Sequence, residues 1–186
     1  MTAGLGALVT PGTYLEWSPV APPNGPDEQF VAGRQAAAAA LAAAGSVVRS
    51  VPRVAGGRPA FPRGYPGSIA HTERVAVAVV VPGAAGVGVD IEDAAVTERM
   101  VDFVLYEGER RTLLAPDGRY RPVELFSAKE AAFKALDGMA VGDGVLFWRI
   151  KLHRAGDGLI ASFGGLSVPV WARYADGLAF ALAVRR

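Results

Sequence analysis

A chain of 186 residues, half of them apolar and a fifth charged, suits one domain or two small lobes around a shared core, and is too hydrophobic to stay disordered. Its formal net charge of +1 excludes a general electrostatic grip on nucleic acid, so any basic anion site must be local. With no cysteine, disulfides, thiolate metal sites and a cysteine nucleophile are excluded together.

The stretch from Met1 to Thr13 lacks a basic segment followed by an apolar block, so no signal peptide is expected. The longest apolar runs, 36–44 and 75–81, are too short to span a bilayer, and a cytoplasmic protein without membrane contact is expected. The Pro- and Gly-rich opening reads as loop with a short strand near Tyr14–Trp17. Asp27 can cap a helix running through an alanine-dense stretch to Ala44 and stopping at Gly45, with Arg34 as its only strong cation. Alanine at that density predicts close packing on a neighbour.

Ser46–Val54 reads as a strand, and Gly56–Gly67 as a Pro/Gly loop too rigid to be a linker. Arg74–Val81 is β-branched, and Gly86–Ile91 forms a second strand after the Pro82–Gly83 turn. Thr97 caps a helix over 98–104, and another runs 107–114 to the stop at Pro116 and Gly118. A longer helix covers Pro122–Leu136, followed by a meander over 145–153, 159–163, 166–174 and 178–184. This order predicts an α+β fold of two roughly comparable halves, 1–93 and 94–186.

Asp90 and Glu92, at i and i+2 near a strand end, project from the same face while Ile91 points into the core. Paired acids at that spacing either meet solvent or share a hard cation such as Mg²⁺. On the 122–136 helix, Ser127, Glu130, Lys134 and Asp137 share one face, opposite Leu125, Ala128, Ala132, Phe133 and Leu136. Glu130 and Lys134 are an i, i+4 pair, which reads either as a surface salt bridge or as part of a site. Lys129 lies near the apolar face, so its stem snorkels outward or its ammonium reaches a bound anion. His71 precedes an apolar strand beside an arginine-bearing loop, where it holds a phosphate or simply opens the strand. His153 has no partner pattern.

Taken in order, AGRQAAAAAL at 32–41, GRPAFP at 57–62, GSIAH at 67–71, GVDIE at 88–92 and FSAKEAAFKAL at 126–136 resemble the 4′-phosphopantetheinyl transferases of the Sfp/EntD type. The resemblance spans residues 28 to 137. It implies the fold of that family, with two similar α+β halves in pseudo-twofold arrangement and coenzyme A in the cleft between them. It implies transfer of 4′-phosphopantetheine to a serine of an apo acyl or peptidyl carrier protein. Asp90, Glu92 and Glu130 match the metal-binding carboxylates, for Mg²⁺ or Mn²⁺, with Glu130 and Lys134 as the catalytic pair. Arg34, Gly57, Arg58, His71, Lys129 and Lys134 are the coenzyme A-binding candidates. The carrier is expected to dock around Met139–Phe147, and the chain to act as a monomer. Ala70 replaces a hydroxyl residue of the family pattern, which costs one expected hydrogen bond to coenzyme A. A binding domain without catalysis, and a holo-acyl-carrier-protein synthase confined to fatty-acid synthesis, are the alternatives. Carriers of nonribosomal peptide, polyketide, siderophore and fatty-acid synthesis all remain open.

Overall fold

A computed structural model describes residues 11–54, 56–136 and 147–186. Two antiparallel sheets carry the architecture. The first has the order β1-β3-β2, from β1 (Tyr14–Pro19), β2 (Gly67–His71) and β3 (Val75–Val80). The second has the order β4-β8-β7-β6-β5, from β4 (Gly86–Glu92), β5 (Lys151–Ala155), β6 (Gly158–Phe163), β7 (Leu166–Ala175) and β8 (Leu178–Arg185).

The alternation of side chains along β3 and β8 builds the layers. Val77 and Val79 turn toward the second sheet, where they meet Val87, Val89 and Ile91 of β4 and Phe180, Leu182 and Val184 of β8. Ala78 and Val80 turn the other way, onto Ala36, Ala37, Ala40 and Leu41 of α1 (Pro26–Ala43). On β8, Ala181 and Ala183 face α4 (Pro122–Leu136). Each sheet thus has a helix on its outer face and shares its inner face with the other sheet. The alanine-rich surface of α1 is what allows the close packing expected of it.

The halves are less equal than expected, with three strands against five and with α2 (Glu98–Val104) and α3 (Glu107–Leu113) only in the second. Because β4 pairs with β8, the second sheet begins at Gly86, ahead of the division after residue 93. Thr97 caps α2 by accepting the Met100 N–H at 3.3 Å. Glu28, in the first turn of α1, accepts the Gly25 N–H at 2.9 Å. Ser46–Val54 is not a strand: Val47 is 96% exposed, Val51 packs beneath α1, and among the described residues the segment makes a single isolated bridge, Arg53 to Pro59, instead of a ladder. From Phe147 to Arg149 the chain makes a 3₁₀ turn before β5. Among the described residues, no helix is long and apolar enough to cross a membrane.

The feature that positions the site is the contact between α4 and β4. A methyl at Gly88 would overlap the carbonyl oxygen of Ala131, and one at Gly86 that of Ala135. The helix backbone therefore rests on a strand face without side chains. Gly88→Ala should lower unfolding free energy by about 1–3 kcal/mol, since the obstruction is backbone and cannot swing aside. Gly108→Ala, at a helical position with open space around it, should be neutral or stabilise by about 0.5–1 kcal/mol. Urea unfolding of the two variants checks this, and equal effects would contradict it.

Candidate active site

Asp90 and Glu92 continue the row begun by Gly86 and Gly88, so all four lie on the face of β4 turned toward α4. The helix runs antiparallel to the strand, with Ala135 against Gly86 and Ala131 against Gly88. One further turn places Ser127 opposite Asp90. Lys134, which helix spacing alone would pair with Glu130, reaches across instead. Its Nζ lies 2.8 Å from Asp90 Oδ1 and donates to the Val89 carbonyl at 3.0 Å.

Asp90 is buried, and its Oδ2 has no hydrogen-bond partner. Burial pushes its pKa up, against the pull of Lys134 and of the Ser127 hydroxyl. Glu92 is pushed up to about 7, first by burial and then by the charges of Asp90, Asp93 and Glu130, with Lys134 opposing. Burial also raises Glu130, with Asp90 adding to it and Lys134 resisting. Asp93 has its own counterion in Arg74, at 3.1 Å.

Among the described residues, no group of three His, Asp or Glu side chains stands close enough together to hold a metal ion. The expected convergence of three carboxylates is therefore not present as such; the cation beside Asp90 is the ammonium of Lys134. The chemistry of the donors still fits a hard divalent ion. Asp90, Glu92 and Glu130 offer only oxygen, and Lys134 offsets one of three mutually interacting acids.

A cavity of about 830 Å³ opens between the halves. The 56–67 loop and β2 wall one side, and Gly86, Val87 and the end of α4 the other, with Arg58, Arg63 and Lys134 supplying cations. Gly57, at φ +82°, holds a turn that L side chains rarely adopt, with open space beside it. A smaller pocket of about 230 Å³ shares Gly57, Pro59 and Ile69 with the first and adds Arg34, Arg53 and His71. Both guanidinium groups lie over the Phe30 ring, at 4.4 and 4.7 Å, and Arg34 Nε is buried without a hydrogen-bond partner. Burial and the charge of Arg53 lower the pKa of Arg34. Burial, then Lys134 and Arg53, lower that of His71 against the pull of Asp90, so its imidazole is neutral at pH 7. Among the described residues, no carboxylate lines this smaller pocket.

The structure thus sets Lys134 directly on Asp90, leaves His71, Glu92 and Glu130 near enough to feel their charges without a direct contact, sets Gly57 and Arg58 on the cleft wall, and puts Arg34 in the adjoining pocket. The expectation that Lys129 reaches a bound anion does not hold. Its side chain is fully buried, with Nζ 2.8 Å from Glu109 Oε2 and 2.8 Å from the Val104 carbonyl oxygen. Glu109 also accepts the N–H groups of Tyr106 and Leu152, at 2.8 and 2.6 Å, so this ion pair ties α4 to α3 and β5. Ala70 packs into the core between the sheets, so a hydroxyl there would not face the cleft; the expected loss of a coenzyme A contact has no basis in the geometry. Ser127, set opposite the apolar face by helix periodicity, is fully buried. Asp137 and the Met139–Phe147 docking segment lie outside the described residues except for Phe147, which packs edge-on against Phe126 and Trp148. His153 is exposed on the edge strand β5.

Sequence reasoning missed Arg53 and Glu109, which stand in none of the motifs. It also missed the Gly86–Gly88 row, although its period of two in register with Asp90 and Glu92 was a usable signal.

The pKa of Glu92, about 7 against an ordinary 4.5, gives a signed prediction. A raised carboxyl pKa means that the folded protein favours the protonated form. That contribution to stability is complete below about pH 4.5 and is lost as pH rises through about 7. In metal-free buffer, Glu92→Gln should flatten the fall in stability over this range. Urea midpoints measured at both ends test it, and parallel pH profiles for the two proteins would contradict it.

Two family models match the chain. One, described as the 4′-phosphopantetheinyl transferase N-terminal domain, covers residues 27–81. The other, described as the 4′-phosphopantetheinyl transferase superfamily, covers residues 86–183. No curated protein matches the chain. The two matches meet at the Pro82–Gly83 turn, where the first sheet ends and the second begins. The second match alone takes in more than half of the chain, from the first residue of β4 through nearly all of β8, and with it the acids and the lysine; the chain belongs to the 4′-phosphopantetheinyl transferase superfamily.

Proposed function

We propose that this protein moves the 4′-phosphopantetheine arm of coenzyme A onto a serine of an apo acyl or peptidyl carrier protein, releasing 3′,5′-ADP. The observation that carries this reading is Lys134, which lines the cleft between the halves and at the same time holds Asp90 beside Glu92 and Glu130. An acid cluster at the wall of a cation-lined cleft suits a polyphosphate ester. It does not suit a neutral substrate.

The serine oxygen bonds to the phosphorus that carries the pantetheine arm, and the bond from that phosphorus to the bridging oxygen breaks. Asp90, Glu92 and Glu130 would hold magnesium or manganese, which supplies charge neutralisation on the pyrophosphate. Lys134 offsets charge on the departing 3′,5′-ADP. Glu130, or a water it orients, takes the serine proton. His71, being neutral, hydrogen-bonds a phosphate oxygen rather than pairing with it, while Arg34, Arg53 and Arg58 carry the charge of the nucleotide phosphates. One chain supplies both walls of the cleft, so a monomer suffices.

The test is incubation with coenzyme A, Mg²⁺ and several apo carriers, read by mass spectrometry for the phosphopantetheine adduct. Glu130→Ala should abolish turnover, and His71→Ala should mainly weaken coenzyme A binding. Turnover lost with coenzyme A affinity intact in His71→Ala would overturn the assignment of roles. Coenzyme A binding without transfer to any carrier would favour a binding domain instead.

A further inference from the structure

Two buried polar atoms near the centre of the site lack partners, and the packing of α4 on β4 places their side chains opposite one another. Ser127 is fully buried and its Oγ makes no hydrogen bond; the same is true of Asp90 Oδ2. Their apposition follows from the backbone. Ala135 sits against Gly86 and Ala131 against Gly88, so a step of four residues along α4 matches two residues along β4. A helical turn of about 5.4 Å and two strand residues of about 6.6 Å are close enough for the match to hold once more. The next pair is Ser127 and Asp90. A hydroxyl can donate, and a carboxylate oxygen needs a donor. A buried donor or acceptor left unmet forfeits its hydration without a replacement, so the two have reason to meet. The other oxygen, Oδ1, is held by Lys134 on the cleft side. Ser127 lies near enough to Asp90 for its hydroxyl to act on the carboxylate.

We propose that Ser127 is a positioning residue: its hydroxyl donates to Asp90 Oδ2 and fixes the carboxylate so that Oδ1 is presented to the cation-binding side of the cleft. The proposal rests on the reading of Asp90 as a cation ligand. Ser127 does not touch substrate. It acts through Asp90 alone.

The test is Mn²⁺ binding, followed by electron paramagnetic resonance, in the wild type, Ser127→Ala and Ser127→Thr, with coenzyme A affinity measured separately in chelator. Hydrogen-bond partners of metal-ligating carboxylates are typically worth about 10–100-fold in metal affinity. Ser127→Ala should weaken Mn²⁺ binding about tenfold, with coenzyme A affinity in chelator unchanged, and Ser127→Thr should recover most of the loss. An alanine variant with wild-type Mn²⁺ affinity overturns the proposal while leaving the transferase reading intact. Equal losses of Mn²⁺ affinity, coenzyme A affinity and unfolding midpoint show a packing role and overturn it too. Failure of the wild type to bind Mn²⁺ at all overturns both. A crystal structure of the wild type is independent of how the variants fold: Ser127 Oγ within hydrogen-bond distance of Asp90 Oδ2 supports the proposal, and an Oγ turned onto a helix carbonyl ends it.

Discussion

The carbonyl oxygens of Ala131 and Ala135 stand where β4 has no side chains, and this approach of helix to strand is the constraint on which the site depends. It brings Lys134 within reach of Asp90 and sets Glu130 near Glu92. A wider helix–strand spacing would leave a buried carboxylate without its counterion. Removing one partner of such a pair costs about 3–5 kcal/mol, which is a large share of the stability of a domain this size.

The charges gathered there are unbalanced in an informative way. Three carboxylates face one ammonium; burial raises the pKa of each, and the charge of Asp90 raises Glu92 and Glu130 further. That is a poor resting arrangement for stability and a good one for receiving a divalent ion, because oxygens that repel each other gain most when a cation arrives. On the far side of β2, Arg34 and Arg53 share one aromatic ring and one pocket with no acid among the described residues that line it. Acids at one place and guanidinium groups at the other give the cleft two poles, spaced along β2 and β4. The proposed substrate, with a pyrophosphate and a separate phosphate, would suit that division.

Much of this was legible in the sequence. Strand alternation alone put Asp90 and Glu92 on one face, and the KEAAFK stretch placed Glu130 and Lys134 together. What could not be read was which side of the helix would be buried. Alanine is small enough to be a contact surface on any face, so periodicity sets Ser127 opposite the apolar face without showing that it is buried, and leaves Lys129 ambiguous. Glu109, far away in sequence, settled Lys129 by burying a charge against it. Ser46–Val54 failed for the complementary reason: its β-branched residues have strand propensity but no partner edge, and propensity without a ladder does not make a strand. The motifs named the candidate residues, while long-range packing decided which members of each motif face the cleft.

The account stands on a single cation held by acids from β4 and α4. Crystals grown with Mn²⁺ and coenzyme A, measured at the manganese absorption edge, test this directly. The account predicts one anomalous peak bounded by the carboxylates of Asp90, Glu92 and Glu130, with Lys134 withdrawn from Asp90 toward a phosphate. A peak elsewhere, or none with Lys134 still seated on Asp90 beside bound coenzyme A, would contradict it.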